Sequence, residues 1–78
     1  MRTVVLYTKP GCHLCDAVAQ VIEAVRARHG FAFVARDIRD DPGDYERYKH
    51  DIPVVTLDGR EIARHRMTVR ELEAALSK

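Results

Sequence analysis

The chain has 78 residues, with 13 lysines and arginines against 12 acids, and only two cysteines. That length holds one small domain, residues 1–78, and excludes folds of about 200 residues or more. A formal net charge of +1 argues against nucleic acid or an anionic membrane as partner, and two cysteines are too few for the disulfide framework of a small secreted domain.

The first element is Thr3-Val4-Val5-Leu6-Tyr7, a β-branched, apolar run that reads as a buried strand. Thr8-Lys9-Pro10-Gly11 breaks it. A helix starts at Cys12 or His13, and its Leu14, Val18, Val21, Ile22 and Val25 fall on one face. Arg26, Arg28 and His29 lie in its last turn, where cations complement the helix dipole, and Gly30 suits the left-handed position that follows. Phe31 to Asp37 reads as a second strand, with Phe31, Phe33 and Ala35 on one face. Asp41-Pro42 predicts an N-cap with proline in the first turn, opening a short helix to His50 with Tyr45 and Tyr48 inward. Pro53-Val54-Val55-Thr56-Leu57 is a third strand, and Asp58-Gly59 is a two-residue hairpin turn. Arg60 to Arg64 then returns antiparallel, with charges suited to an exposed edge. Thr68-Val69-Arg70-Glu71 is a capping box of the S/T-x-x-E form, opening a last helix that buries Val69, Leu72 and Leu76.

The order is therefore β-α-β-α-β-β-α, an α/β fold. The first β-α-β needs a parallel pair and the hairpin an antiparallel one, so the four-stranded sheet is mixed, with three helices on its faces. Charge is uneven along it. Residues 37–51 hold six acids (Asp37, Asp40, Asp41, Asp44, Glu46, Asp51) and three bases (Arg39, Arg47, Lys49), a net of −3. No apolar run approaches the roughly 20 residues of a membrane span. The expected location is the cytoplasm. There a close cysteine pair is normally reduced, and is catalytic or metal-binding more often than structural.

Cys12-His13-Leu14-Cys15 is the constellation with chemistry. The first cysteine of a helix faces unpaired backbone N–H groups and the positive end of the dipole. Both favour thiolate, the nucleophilic form. Cys15 lies three residues on, on the same helix face, where it can resolve a mixed disulfide made by Cys12. Cys12 is expected to be the more exposed and more acidic thiol. Two other readings stay open at this level: half of a zinc site, completed by two of His13, His29, His50 and His65, or two buried thiols without a role. His13 faces away from the other candidate ligands, and His29 is at the far end of the helix.

Tyr7-Thr8-Lys9-Pro10-Gly11-Cys12-His13-Leu14-Cys15 resembles the active-site segment of glutaredoxins, written Y-[ST]-K-P-x-C-P-[YF]-C. Ile52-Pro53-Val54 resembles their T-V-P segment, and the element order is similar to the thioredoxin fold in its short form over essentially the whole chain. The C-x-L-C wording, with the later run from Asp37-Ile38 to Asp58-Gly59, resembles a small bacterial subgroup. The resemblance implies the sheet order β2-β1-β3-β4, Cys12 as nucleophile and Cys15 as resolving thiol. It also implies a cis bond before Pro53, which would lie beside Cys12 and leave the Ile52 main chain to pair with an extended substrate.

Two departures bear on the partner. His13 and Leu14 stand where the family has proline and an aromatic residue. The run Arg64-His65-Arg66-Met67-Thr68 replaces a glycine pair that helps hold glutathione. The electron donor is therefore open between glutathione and a thioredoxin-reductase-type or other protein.

The neighbours carry further expectations. Lys9 suits a thiolate or a substrate carboxylate. A protonated His13 would stabilise the Cys12 thiolate. Asp16 reads as a first-turn acid, and Tyr7 as core. Arg64, His65, Arg66 and Arg70 form either a solvated basic face or a contact for an acidic partner, with Arg66 foremost. The expected function is thiol-disulfide exchange by a monomer. Cys12 and Cys15 are catalytic, and Lys9, His13, Leu14, Ile52, Pro53 and Arg66 bind substrate. The substrate is a disulfide-containing protein or a glutathione mixed disulfide, and no metal or organic cofactor is bound. The rival classes are a thioredoxin-fold adaptor with little turnover and a zinc-binding module.

Overall fold

The computed structural model describes residues 1–78. The elements are β1 (Thr3–Thr8), α1 (His13–Arg26), β2 (Ala32–Asp37), a 3-10 turn (Ile38–Asp40), α2 (Pro42–Tyr48), β3 (Val54–Leu57), β4 (Arg60–Arg64) and α3 (Val69–Leu76). They form one four-stranded sheet in the order β2-β1-β3-β4. β1 and β2 are parallel; β1 with β3, and β3 with β4, are antiparallel. The expected mixed α/β fold is the one observed.

Strand alternation splits the core in two. Val4 and Leu6 of β1 pair across with Leu57 and Val55 of β3, and all four join Val18, Ile22 and Val25 of α1 and Leu72 of α3. The next residues along, Tyr7 and Val54, face the other way and meet Ile38 and Tyr48. Central β3 is buried at all four positions, because both of its faces are covered. Edge strand β2 is largely open, and Ala35 is exposed.

Several local expectations change in the folded chain. Leu14 fits the apolar stripe by spacing, but it sits in the first turn of α1, beyond the main core, and is 58% exposed. Tyr45 points outward because α2 buries Asp44 and Tyr48, four residues apart, on its inner face. Arg36 of β2 reaches Asp44 at 3.0 Å and fixes which face that is. α1 ends at Arg26, capped by right-handed Ala27, so Gly30 is not a left-handed cap. Arg28 and His29 instead meet Glu73 of α3, each at 3.1 Å, tying the two helices together. α2 ends at Tyr48 and β3 begins at Val54, both shorter than expected, and the 3-10 turn that buries Ile38 adds a step after β2.

The Asp58-Gly59 turn has both residues at positive φ (52° and 86°), the geometry of a two-residue hairpin. Asp58 does more than turn the chain. Its Oδ1 accepts from the Thr3 N–H and its Oδ2 from Arg2 Nε, both at 2.9 Å. Its own N–H donates to the Thr3 carbonyl at 2.9 Å, so the hairpin is pinned to the start of β1. The Thr3 N–H, then Arg2, hold the Asp58 carboxyl below its ordinary range. A carboxyl depressed on folding stabilises above its unfolded pKa of about 3.9 and loses that contribution as pH falls through its folded value. Asp58→Asn mimics the protonated acid and tolerates positive φ. Denaturant unfolding should therefore find Asp58→Asn less stable than wild type at neutral pH, with the gap closing below about pH 4. A gap independent of pH would contradict this role.

Candidate active site

The site is built where β1 gives way to α1. Gly11 has φ +81°, a conformation glycine adopts without strain, and it turns the chain out of the strand end. The Cys12 N–H donates to the Lys9 carbonyl at 3.3 Å and closes the turn. Cys12 is then extended (φ −92°, ψ 103°) and is the N-cap of α1. Its carbonyl accepts from the Asp16 N–H at 3.1 Å, and its Sγ accepts from the Cys15 N–H at 3.1 Å. The sulfur thus stands where a serine or aspartate oxygen stands in an ordinary cap.

Cys15 lies one turn behind, 1% exposed, while Cys12 is half-buried. Their Cα atoms are 5.2 Å apart and the sulfurs are joined in a disulfide. No histidine or carboxylate joins them in a group of three metal-ligating side chains.

The sheet brings other segments to the same end. Tyr7 pairs with Val54, so Pro53 lies across from Thr8, at the end of β1 that leads to Cys12. The Ile52-Pro53 bond is cis, and Ile52 packs against the tyrosine cluster. Val54 also pairs with Arg64, and the His65 N–H donates to the Pro53 carbonyl at 2.7 Å. The end of β1, the start of β3 and the end of β4 therefore lie side by side, with Pro53 hydrogen-bonded to His65. The predicted substrate residues Lys9, His13, Leu14 and Arg66 are all exposed; Ile52 is half-buried and Pro53 buried. No cavity forms around Cys12, and the concavity that does form, about 460 Å³, lies between β4 and α3.

The basic cluster divides. Arg64 makes a bidentate contact with Glu61 (2.6 and 2.7 Å) and reaches Asp51 at 3.1 Å. His65 lies 3.5 Å from the same Asp51 carboxylate. The Arg64 hydrogen bonds hold Glu61 below the usual carboxylate range. Arg66 and Arg70 make no ion pair and remain solvated. His65 sits at φ +74°, so the left-handed turn that glycine would supply is kept by a histidine. Tyr7 is core, as expected, its ring 4.6 Å from that of Tyr48, with Arg36 lying over it. Sequence reasoning missed Asp51, though its place directly before Ile52-Pro53 is a usable signal.

The difference in burial sets the difference in access. After reduction, a small alkylating reagent at neutral pH should label Cys12 at least about 10-fold faster than Cys15, because the nucleophile must be both exposed and ionised. Peptide mapping of the labelled protein checks this, and faster labelling of Cys15 would reverse the two roles.

Residues 3–77 match the family model described as "Glutaredoxin-like domain (DUF836)". Among solved structures, the structural-genomics target protein XcR50 from X. campestris is 29% identical, with TM-score 0.78 over 95% of each chain. Protein Ne2328 from Nitrosomonas europaea is 20% identical, with TM-score 0.81 over 95% of this chain and 89% of that one. Thioredoxin 1 from the thermophilic eubacterium Thermosipho africanus shares the fold at 18% identity, with TM-score 0.64 over 96% of this chain and 94% of that one. The family match over residues 3–77 and these shared folds show that the chain belongs to the glutaredoxin-like domain family and has the thioredoxin fold.

Proposed function

We propose that this protein is a thiol-disulfide oxidoreductase working through Cys12 and Cys15. The observation that carries the reading is the capping geometry: Cys12 Sγ accepts from a backbone N–H at the start of α1, with Cys15 buried directly behind it. A thiolate there gains both a hydrogen bond and the helix dipole.

The reaction balances as two thiol exchanges. The Cys12 thiolate attacks a substrate disulfide, forming a mixed disulfide and releasing one substrate thiolate, which takes a proton from solvent. Cys15 loses its proton and attacks Cys12 Sγ, forming the Cys12–Cys15 disulfide and releasing the second substrate thiol. Two electrons pass to the substrate. The next cycle needs two electrons from a donor thiol or dithiol.

The surroundings support a protein substrate over an enclosed small molecule. The cysteines open onto surface rather than a cavity, exposed Leu14 offers an apolar contact, and the family resemblance assigns the Ile52 main chain to pairing with an extended chain. Lys9, His13 and Arg66 flank that contact with positive or titratable groups. The run Arg64-His65-Arg66-Met67-Thr68 stands in place of the family's glutathione-holding glycine pair. The free backbone at the start of α3 is already used by the Thr68/Glu71 capping box, at 2.8 and 3.1 Å. Both features favour a protein dithiol donor over glutathione. The reading fits a reducing compartment such as the cytoplasm and needs no bound metal or organic cofactor.

Turnover tests this. Reduction of a disulfide-bonded protein should proceed with a thioredoxin-reductase-type donor, and about 10-fold or more slowly with glutathione and its reductase. Cys12→Ser should abolish it, and Cys15→Ser should stall at a mixed disulfide visible by mass spectrometry. Activity surviving Cys12→Ser would overturn the mechanism. Inactivity with both donors would favour an adaptor that oxidises without turning over.

A further inference from the structure

At the start of β3, across from the end of β1 that leads to Cys12, lies a polar network that the exchange reaction does not use. Thr56 pairs with Glu61, while Val55 pairs with Ala63, so Ile62 is an extra residue and β4 carries a bulge. In a regular strand, residues three apart face opposite sides of the sheet. The bulge instead turns Glu61 and Arg64 to one side, where they form their bidentate pair. Ile62 and Ala63, adjacent in sequence, both pack on the main core for the same reason.

Arg64 Nη1 then reaches the Asp51 carboxylate at 3.1 Å, and His65 Nε2 stands 3.5 Å from its other oxygen. The His65 N–H meanwhile bonds the Pro53 carbonyl at 2.7 Å. The segment Asp51-Ile52-Pro53 is thus gripped at both ends by the tail of β4. All three charged side chains are partly exposed, so the pairs add little to stability. A histidine at φ +74° is moreover a strained choice where glycine fits without cost. A strained residue and an oriented ion network of little stabilising value, on the segment that enters β3 across from the strand end leading to Cys12, point to positioning rather than stability.

We infer that Asp51 is a positioning residue: with Arg64 and His65 it holds the Ile52 main chain at a fixed height beside Cys12, ready to pair with an extended disulfide substrate. This rests on the oxidoreductase reading. A substrate with a peptide main chain draws on the clamp. A small disulfide such as bis(2-hydroxyethyl) disulfide does not.

Steady-state kinetics on both substrates test the clamp. With a disulfide-bonded peptide, Asp51→Asn should raise KM about 5-fold with kcat within about twofold, and Asp51→Glu should recover part of the loss. With the small disulfide both variants should match wild type. His65→Gly separates positioning from fold: it relieves the left-handed strain, so thermal unfolding should be unchanged or higher, while KM for the peptide still rises. Equal KM for Asp51→Asn and wild type on the peptide would overturn the clamp alone. So would equal losses on peptide and small disulfide, since that pattern marks general damage. A wild-type protein that reduces neither substrate would overturn the oxidoreductase reading, and the clamp with it.

Discussion

A backbone N–H at the start of α1 donates to the sulfur of Cys12, and the proposed chemistry depends on that contact. An N-cap side chain must accept a hydrogen bond, and a thiol is a weak acceptor while a thiolate is a strong one. Capping with cysteine therefore couples the comfort of the helix end to the ionisation of the sulfur. Gly11 at φ +81° and the Lys9 carbonyl set the turn that makes Cys12 the cap instead of a residue inside the helix. Burial of Cys15 among the helix's core-facing residues leaves Cys12 as the more accessible sulfur, which is the division of labour that the proposed exchange reaction requires.

The sheet serves this arrangement by bringing strand ends together. β1 leads to Cys12, β3 begins just after Pro53, and β4 ends at Arg64, directly before His65. Because β3 is covered on both faces, its start is not free to wander, and the β4 bulge supplies the last contacts that reach back to Asp51. The α2 face makes a separate cluster of Tyr7, Ile38, Tyr48 and Val54. It supports the same strand ends from the opposite side, so the site rests on packing from both faces of the sheet.

Features with local causes were legible in the sequence. The capping box at Thr68 and Glu71, the Asp58-Gly59 hairpin, the Asp41-Pro42 helix start and the strand runs all follow from neighbours within a few residues, and each is found. Cys12 at a helix start is equally local, because Pro10-Gly11 must break the strand before it. The cis Ile52-Pro53 bond was legible only through the family resemblance. Leu14 and Tyr45 were misplaced because spacing says which residues share a face, not what covers that face. The double role of Asp58 and the Asp51–Arg64–His65 contacts depend on strand register and on a one-residue bulge at Ile62. Regular alternation puts residues three apart on opposite faces, and the bulge is what brings Glu61 and Arg64 together.

The proposed reaction turns on the ionisation of one sulfur. Thiolate absorbs near 240 nm, so its absorbance against pH in reduced Cys15→Ser protein measures the Cys12 ionisation directly. The capping geometry predicts a midpoint clearly below the ordinary thiol value of about 8.5. It also predicts a helix whose content rises as the thiolate forms, read by circular dichroism through the same pH range. A midpoint at or above the ordinary value, with helix content indifferent to pH, would contradict the claim that the start of α1 activates Cys12.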